Sequence, residues 1–181
     1  CTKRTLSGLL GKTTSSLVLL HYSMEKRLFQ ATAILSLFIY STSILQAQCP
    51  TGLMTDLIEH TEQLFNDGYV SSAALTTLDK AKGHYQVALI RSSRPRFSWI
   101  VGSNRPNTLQ TAYHILVATS PDKLRPETAD IWDSQKIESR HSTSITMGGK
   151  ELSPSTIYYW KVKTWDNHGY ESPWSATKSF M

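Results

Sequence analysis

The stretch Leu152–Val162, which reads LSPSTIYYWKV, constrains the fold of this chain more than any other segment. Side chains alternate along it with a period of two, which is typical of a β-strand with one buried face. The residues predicted to share that face are Thr156, Tyr158, Trp160 and Val162. Tyr158 follows Pro154 by four positions, a spacing that suits a tyrosine corner, in which the phenol hydroxyl binds upstream backbone. The segment therefore predicts a corner followed by a core strand of a packed β-sheet.

Short strand patterns separated by turn residues recur through the second half of the chain. Besides the Tyr158 strand, the predicted strands are 85–90, 97–101, 111–119, 131–136, 143–147 and 174–180. Trp99, Tyr113, Ile115 and Val117 are predicted to face the core together with the Tyr158 strand. Seven short strands over about a hundred residues are typical of an immunoglobulin or fibronectin type III sandwich. We therefore predict an all-β domain over residues 84–181.

Residues 48–83 are predicted to be a helical and linker segment preceding the sandwich. Between Pro50 and Gly68, apolar side chains recur at three- to four-residue spacing with acidic residues between them, which indicates an amphipathic helix. Its apolar stripe is Leu53, Leu57, Ile58, Leu64 and Phe65. A stripe this apolar is costly to leave in water, so we expect the helix to contact a neighbouring domain.

The first 47 residues have the layout of a leader. Met24 is followed by basic residues, by an apolar run and then by small residues up to Ala47, as in a bacterial secretory signal peptide. We predict a signal helix over 24–47 and an upstream, non-native extension over 1–23. A membrane anchor over 28–45 is the alternative, although polar residues interrupt that run. The expected location is outside the cytoplasm, either secreted, periplasmic or on the cell surface.

Charge and cysteine content argue against several classes of function. The net charge of +5 arises mainly from the leader, which weakens the case for nucleic-acid binding. The two cysteines are Cys1 and Cys49, and only Cys49 would remain after processing, so neither a disulfide framework nor a zinc site is predicted.

No catalytic motif is recognised, and no catalytic, cofactor or metal residue is predicted. The cluster Asp166–Gly169 could hold a cation, but turn chemistry is the favoured interpretation.

Aromatic residues are the best candidates for a functional surface. Trp132, Trp165, Tyr170 and Trp174 could stack on sugar rings if they were exposed together. The alternative is that they cover the sandwich or contact a neighbouring domain. The two interpretations differ in whether the tryptophans form one flat, exposed platform.

Several segments resemble the N-terminal domain of bacterial α-L-rhamnosidases. The similar segments, in chain order, are RPRFSW at 94–99, QTAYHILVA at 110–118, IWDSQKI at 131–137, YYWKVKTWD at 158–166 and SPWS at 172–175. Gln135 stands where that family usually has glycine. The resemblance covers about half of the chain.

The resemblance implies a secreted, inverting glycoside hydrolase that removes terminal α-L-rhamnose from glycans or glycosides. Its catalytic carboxylates lie in a later α-helical domain, and no residue here matches them. This chain would therefore be a non-catalytic accessory sandwich whose partners are the downstream domains of the same polypeptide. The alternative is a carbohydrate-binding or cell-surface adhesion module, with rhamnose-containing glycan as the partner.

Overall fold

The computed structural model describes residues 47–80 and 84–181. The predicted extension at 1–23 and the predicted signal helix lie outside these residues, apart from Ala47. Within the described residues, no helix is both long and apolar enough to cross a membrane.

Eleven short strands make up most of the regular structure in the described part of the chain. They are β1 Thr51–Thr55, β2 Gln63–Asn66, β3 Tyr69–Ala74, β4 Gln86–Val87, β5 Arg96–Ile100, β6 Gln110–Ala118, β7 Trp132–Asp133, β8 Ile137–Glu138, β9 Ile145–Thr146, β10 Tyr158–Asp166 and β11 Lys178–Phe180. Two 3-10 helices accompany them, at Leu75–Lys80 and Pro121–Lys123. The all-β prediction is confirmed, and described residues 84–181 form eight strands rather than the seven predicted.

Two antiparallel sheets pack face to face to form the sandwich. One has the order β1-β5-β9, and the other has the order β11-β10-β6-β7, with β8 also pairing with β6. Seven of the eight residues predicted to face inward belong to one buried cluster, which also contains Leu53, Phe97, Met147 and Phe180. The eighth, Thr156, is half-buried and precedes β10. Phe97 of β5 meets Trp160 of β10 across the interface, with ring centroids 4.4 Å apart.

Polar contacts also cross the core. The Trp160 indole N–H donates to the Thr55 hydroxyl at 3.1 Å, and the Trp99 indole N–H donates to Gln110 Oε1 at 2.9 Å. Each contact joins a strand of one sheet to a strand of the other, so the buried indoles are hydrogen-bonded as burial requires.

The tyrosine corner is confirmed. The backbone N–H of Ser153 donates to the Tyr158 hydroxyl at 2.8 Å. No helix occurs in residues 156–165, where β10 instead alternates buried and half-buried positions.

The predicted amphipathic helix at 50–68 is wrong, because β1 and β2 occupy its ends. Asp67 and Gly68 have φ angles of 50° and 82° and connect β2 to β3, as a two-residue type I′ hairpin turn requires. The predicted stripe is divided: Leu53 and Leu64 are buried, whereas Leu57 is 64% exposed. The expected interdomain helix therefore does not form.

Strands β2, β3 and β4 form a separate small sheet. It is attached to the sandwich at β11, where the Thr61 hydroxyl donates to the Ser179 carbonyl at 2.7 Å. Lys178 also pairs with Glu62 at 2.8 Å.

Candidate interaction face

The five-stranded sheet has an outer face, turned away from the core, and that face carries most of the candidate residues. On β10 it presents Tyr159, Lys161, Lys163 and Trp165, and on β6 it presents His114, Leu116 and Ala118. We call this set, together with the Trp174 ring that covers part of it, the outer face. Leu116 and Ala118 are fully buried under Leu124, with Tyr159 and Trp174 packed against them.

Trp132 does not belong to the outer face. It pairs with Val117 in the sheet and packs on the core, with its ring stacked 6.3 Å from that of Phe97. Gly149 lies against it, and a Cβ atom there would be only 2.3 Å from the Ile131 carbonyl oxygen. Gly149 is thus needed for this close approach, and Trp132 is a half-buried residue that packs against the core.

Tyr170 is also separate from the outer-face tryptophans. It follows the turn after β10, and the Arg105 guanidinium lies 4.6 Å from its ring centroid. The turn itself is confirmed: Asp166 Oδ1 accepts the backbone N–H groups of His168 and Tyr170, both at 2.9 Å. Asn167 Oδ1 likewise accepts the Leu109 N–H at 2.8 Å. The side-chain oxygens of Asp166 and Asn167 therefore fix the backbone of the turn and of the neighbouring loop.

The structure does bring Trp165 and Trp174 onto one face, but lysine ammonium groups lie over both rings. Lys136 and Lys163 lie 5.1 and 5.0 Å from the Trp165 centroid. Lys161 and Lys163 lie 4.8 and 5.1 Å from the Trp174 centroid. These are cation–π distances. A flat, open platform for stacking on sugar rings is therefore not formed by Trp132, Trp165 and Trp174.

A buried histidine–aspartate pair lies under Trp174. His114 Nε2 is 2.6 Å from Asp133 Oδ1, and the His114 ring meets Trp174 edge to face at 5.1 Å. Burial alone would raise the pKa of Asp133, but hydrogen bonds from the Gln135 backbone, from His114 and from the Glu127 backbone outweigh burial and lower it. The pair fixes the loop after β7 against β6.

Of the five cations on or beside the outer face, three have a carboxylate partner, whereas Lys161 and Arg125 have none among the described residues. Lys163 pairs with Glu171, Lys136 pairs with Glu138 at 2.9 Å, and Lys123 pairs with Asp130 at 2.7 Å. Lys161 has no carboxylate within salt-bridge distance among the described residues. Burial and the nearby charge of Arg125 both lower the pKa of Lys161.

Sequence reasoning placed Trp165 and Trp174 as candidates but missed the cations around them. The alternation of β10 puts Lys161 and Lys163 on the same face as Trp165, so that part could have been found. Arg125 and Asp133 come from the β6–β7 connection and from β7, and no periodic signal ties them to β10.

The two packed sheets, the tyrosine corner and the tryptophan-containing core define an immunoglobulin-like β-sandwich. The chain belongs to the family described as the Rha78A-like, N-terminal immunoglobulin domain, which matches residues 80–181.

Relatives of known name agree with this assignment. The chain is 50% identical over 92 residues to an α-L-rhamnosidase of Formosa agariphila, a match covering 51% of this chain and 10% of that protein. It is 40% identical over 85 residues to an α-L-rhamnosidase of Streptomyces avermitilis, covering 47% of this chain and 8% of the other. The chain thus spans about a tenth of the length of these curated relatives.

A solved structure of α-L-rhamnosidase from Dictyoglumus thermophilum has a similar fold. The TM-score is 0.56 at 26% sequence identity, and the match covers 75% of this chain and 12% of that one. The resemblance to rhamnosidase N-terminal domains found in the sequence is therefore confirmed.

Proposed function

We propose that this chain is the non-catalytic N-terminal sandwich of a secreted α-L-rhamnosidase, a glycoside hydrolase that releases terminal α-L-rhamnose from glycans or glycosides. The observation that carries the proposal is the extent of the matches. Relatives named α-L-rhamnosidase match this chain over about a tenth of their length, and the matching part is an immunoglobulin-like domain. In such a protein the sandwich supports the remaining domains, and the chemistry belongs to them.

The side chains of the sandwich support a structural role. Glycoside hydrolysis requires two carboxyl groups facing each other across the sugar. Asp130, Asp133 and Asp166 each accept hydrogen bonds from nearby backbone N–H groups. These carboxylates are therefore occupied in maintaining the fold.

The test compares the protein encoded by the reading frame continued past Met181 with the same protein lacking residues 48–181. Both are assayed for rhamnose release from an aryl α-L-rhamnoside, and both are melted by calorimetry. We expect activity in the longer protein, and a lower melting temperature with faster inactivation once the sandwich is removed. An unchanged melting temperature and inactivation rate would contradict a supporting role for the sandwich. If the longer protein had no rhamnosidase activity, the proposal that this chain is part of an α-L-rhamnosidase would be contradicted.

Secretion follows from the leader and is tested separately. Expression of the entire reading frame in a bacterial host, followed by N-terminal sequencing of the exported protein, should give a mature chain beginning at Gln48. Recovery of uncleaved protein in the cytoplasm would contradict this part of the proposal.

The carbohydrate-binding alternative predicts that a sugar stacks on exposed tryptophans. Titration of L-rhamnose into the chain, followed by tryptophan fluorescence, should leave the spectrum unchanged if the ammonium groups keep the Trp165 and Trp174 rings covered. A saturable change lost in Trp174→Ala would favour the alternative.

A further inference from the structure

We infer that the outer face around Lys161, Arg125 and Trp174 is a docking surface for an acidic protein surface contributed by the rest of the same polypeptide. This inference rests on the proposed function, since it assumes that further domains follow. It names the face they use and the chemistry of the group that binds there.

The first step of the argument is the uncompensated charge. Lys161 lies over the Trp174 ring at 4.8 Å and is half-buried, yet no carboxylate lies within salt-bridge distance of it or of Arg125 in the described residues. Its neighbours Lys163 and Lys136 do have such partners. Burial and the charge of Arg125 both lower the pKa of Lys161, so an anion that binds near the two cations would stabilise the charged ammonium.

The second step is the apolar support beneath the cations. Leu116, Ala118 and Leu124 are buried there, with Tyr159 and Trp174 half-buried above them. A partly buried aromatic patch with cations at its border is the composition expected of a protein interface, in which tryptophan, tyrosine and arginine are enriched.

The third step selects protein over saccharide. Sugar rings bind tryptophan through the flat face of the indole, and the Trp165 and Trp174 rings each have two lysine ammonium groups about 5 Å from their centroids. A sugar would have to displace these lysines. A glutamate or aspartate can instead bind at Lys161 and Arg125 without moving either ring, and it would form a desolvated, charge-assisted pair.

Lysine acetylation measures whether the face is covered. The 181-residue chain and the protein continued past Met181 are treated with an N-hydroxysuccinimide acetate, and the rate at each lysine is read by mass spectrometry. We expect Lys161 to react about tenfold more slowly in the longer protein, because the docked face excludes the reagent. Lys150, which lies in the turn after β9, serves as the internal control and should react equally in both.

A matched pair of variants tests the charge. Arg125→Gln removes one of the two cations that would bind the carboxylate. In the longer protein, this variant should raise the acetylation rate of Lys161 toward the rate measured for the same variant of the short chain. Arg140→Gln removes an exposed cation from the loop before β9 and should leave Lys161 protected.

Equal Lys161 rates in the two proteins would overturn the inference. If removing the sandwich still lowers the melting temperature, the proposed function stands and only the docking face is wrong. Protection of Lys161 in the short chain by oligogalacturonate, without protection in the longer protein, would show an acidic saccharide as the occupant and would also overturn the inference.

Discussion

At the scale of single residues, the sandwich is held in register by side chains that bind backbone at places where the sheet ladder ends. Tyr158 fixes the corner before β10. Beside β6, the Asp133 side chain accepts the Gln135 backbone N–H at 2.9 Å, and Ser134 Oγ accepts the Ile115 backbone N–H at 2.8 Å. Each such bond satisfies a backbone group that would otherwise lack a partner in the fold.

Tyr158→Phe tests the corner. Loss of the hydroxyl leaves the Ser153 N–H without its acceptor, so we expect the free energy of unfolding to fall by about 0.5–1.5 kcal/mol in urea titrations. Tyr159→Phe, one residue along on the outer face, is the matched control and should change stability by much less. Equal losses in the two variants would show that the corner bond is not what stabilises this turn.

Gln135→Gly tests a departure from the family pattern. Gln135 has a φ of 52°, in the left-handed region that favours glycine, and glycine is the residue usual at this position in the resembling family. Relief of that strain, about 1–2 kcal/mol, exceeds the added entropy of the unfolded chain, about 0.5–1 kcal/mol. We therefore expect thermal denaturation to show a more stable protein.

Arg140→Gly is the comparison for that substitution. Arg140 is exposed in a neighbouring loop and does not have a positive φ, so glycine there should only destabilise. A Gln135→Gly protein that melts lower than the parent would show that the side chain, and not the backbone conformation, matters at this position.

At the scale of elements, strands with one buried face were predictable, whereas the chain before them was not. In β10 burial alternates with a period of two over all nine residues, so this strand and its inward side chains follow from the sequence. In β6 nearly every residue is buried, because both faces of that strand are covered. In 50–68 the apolar residues of two short strands happen to fall at helical spacing. The Asp67–Gly68 hairpin turn was the local signal that argued for strands.

The candidate site was only partly predictable for a related reason. Trp165 lies on a periodic strand and Trp174 follows it closely, but the cations and carboxylates around them come from separate connections. The effect of the Arg125 charge on the pKa of Lys161 and the contact between Asp133 and His114 both depend on how the β6–β7 connection folds over the sheet. That information is tertiary, and no local pattern carries it.

Trp160→Ala tests the packing of one sheet against the other. The side chain is fully buried, contacts Phe97 and donates to Thr55 of β1. Its loss should lower the free energy of unfolding by about 3–5 kcal/mol. Trp174→Ala, on the half-buried outer face, should lower the free energy of unfolding clearly less. A decrease below about 1 kcal/mol for Trp160→Ala would show that Trp160 is not a core residue.

The β6–β7 connection should show a pH-dependent stability through Asp130. Partial burial alone would raise the pKa of Asp130, but hydrogen bonds from Lys123 and from Thr119 outweigh burial and hold that pKa well below its usual range. Because the folded pKa lies below the unfolded value of about 3.9, ionised Asp130 stabilises the fold above about pH 4, and this contribution is lost as the pH falls through the folded pKa.

Asp130→Asn should therefore be less stable than the parent at pH 7, and the difference should shrink as urea titrations are repeated below about pH 4. Asp122→Asn, at an exposed position in the adjoining 3-10 helix, should show no comparable change. A difference for Asp130→Asn that stays constant down to pH 2 would mean that its charge is not what stabilises the connection.

At the scale of the whole molecule, the sandwich and its small attached sheet form a scaffold in which the characteristic residues serve the fold. The tryptophans divide into three in or against the core, Trp99, Trp132 and Trp160, and two on the outer face, Trp165 and Trp174. Family membership and the one-tenth coverage of the relatives agree with such a scaffold. Under the proposed function, rhamnosidase chemistry would belong to other domains of the same polypeptide.

The most direct test is the rate of rhamnose release by the purified 181-residue chain from an aryl α-L-rhamnoside, measured against a protein-free blank. The account predicts a rate equal to the blank at every pH tested, in a sample whose circular dichroism shows folded β-structure. Release above the blank that persists through purification and disappears on heat denaturation would contradict it, because the sandwich would then carry the catalytic carboxylates itself.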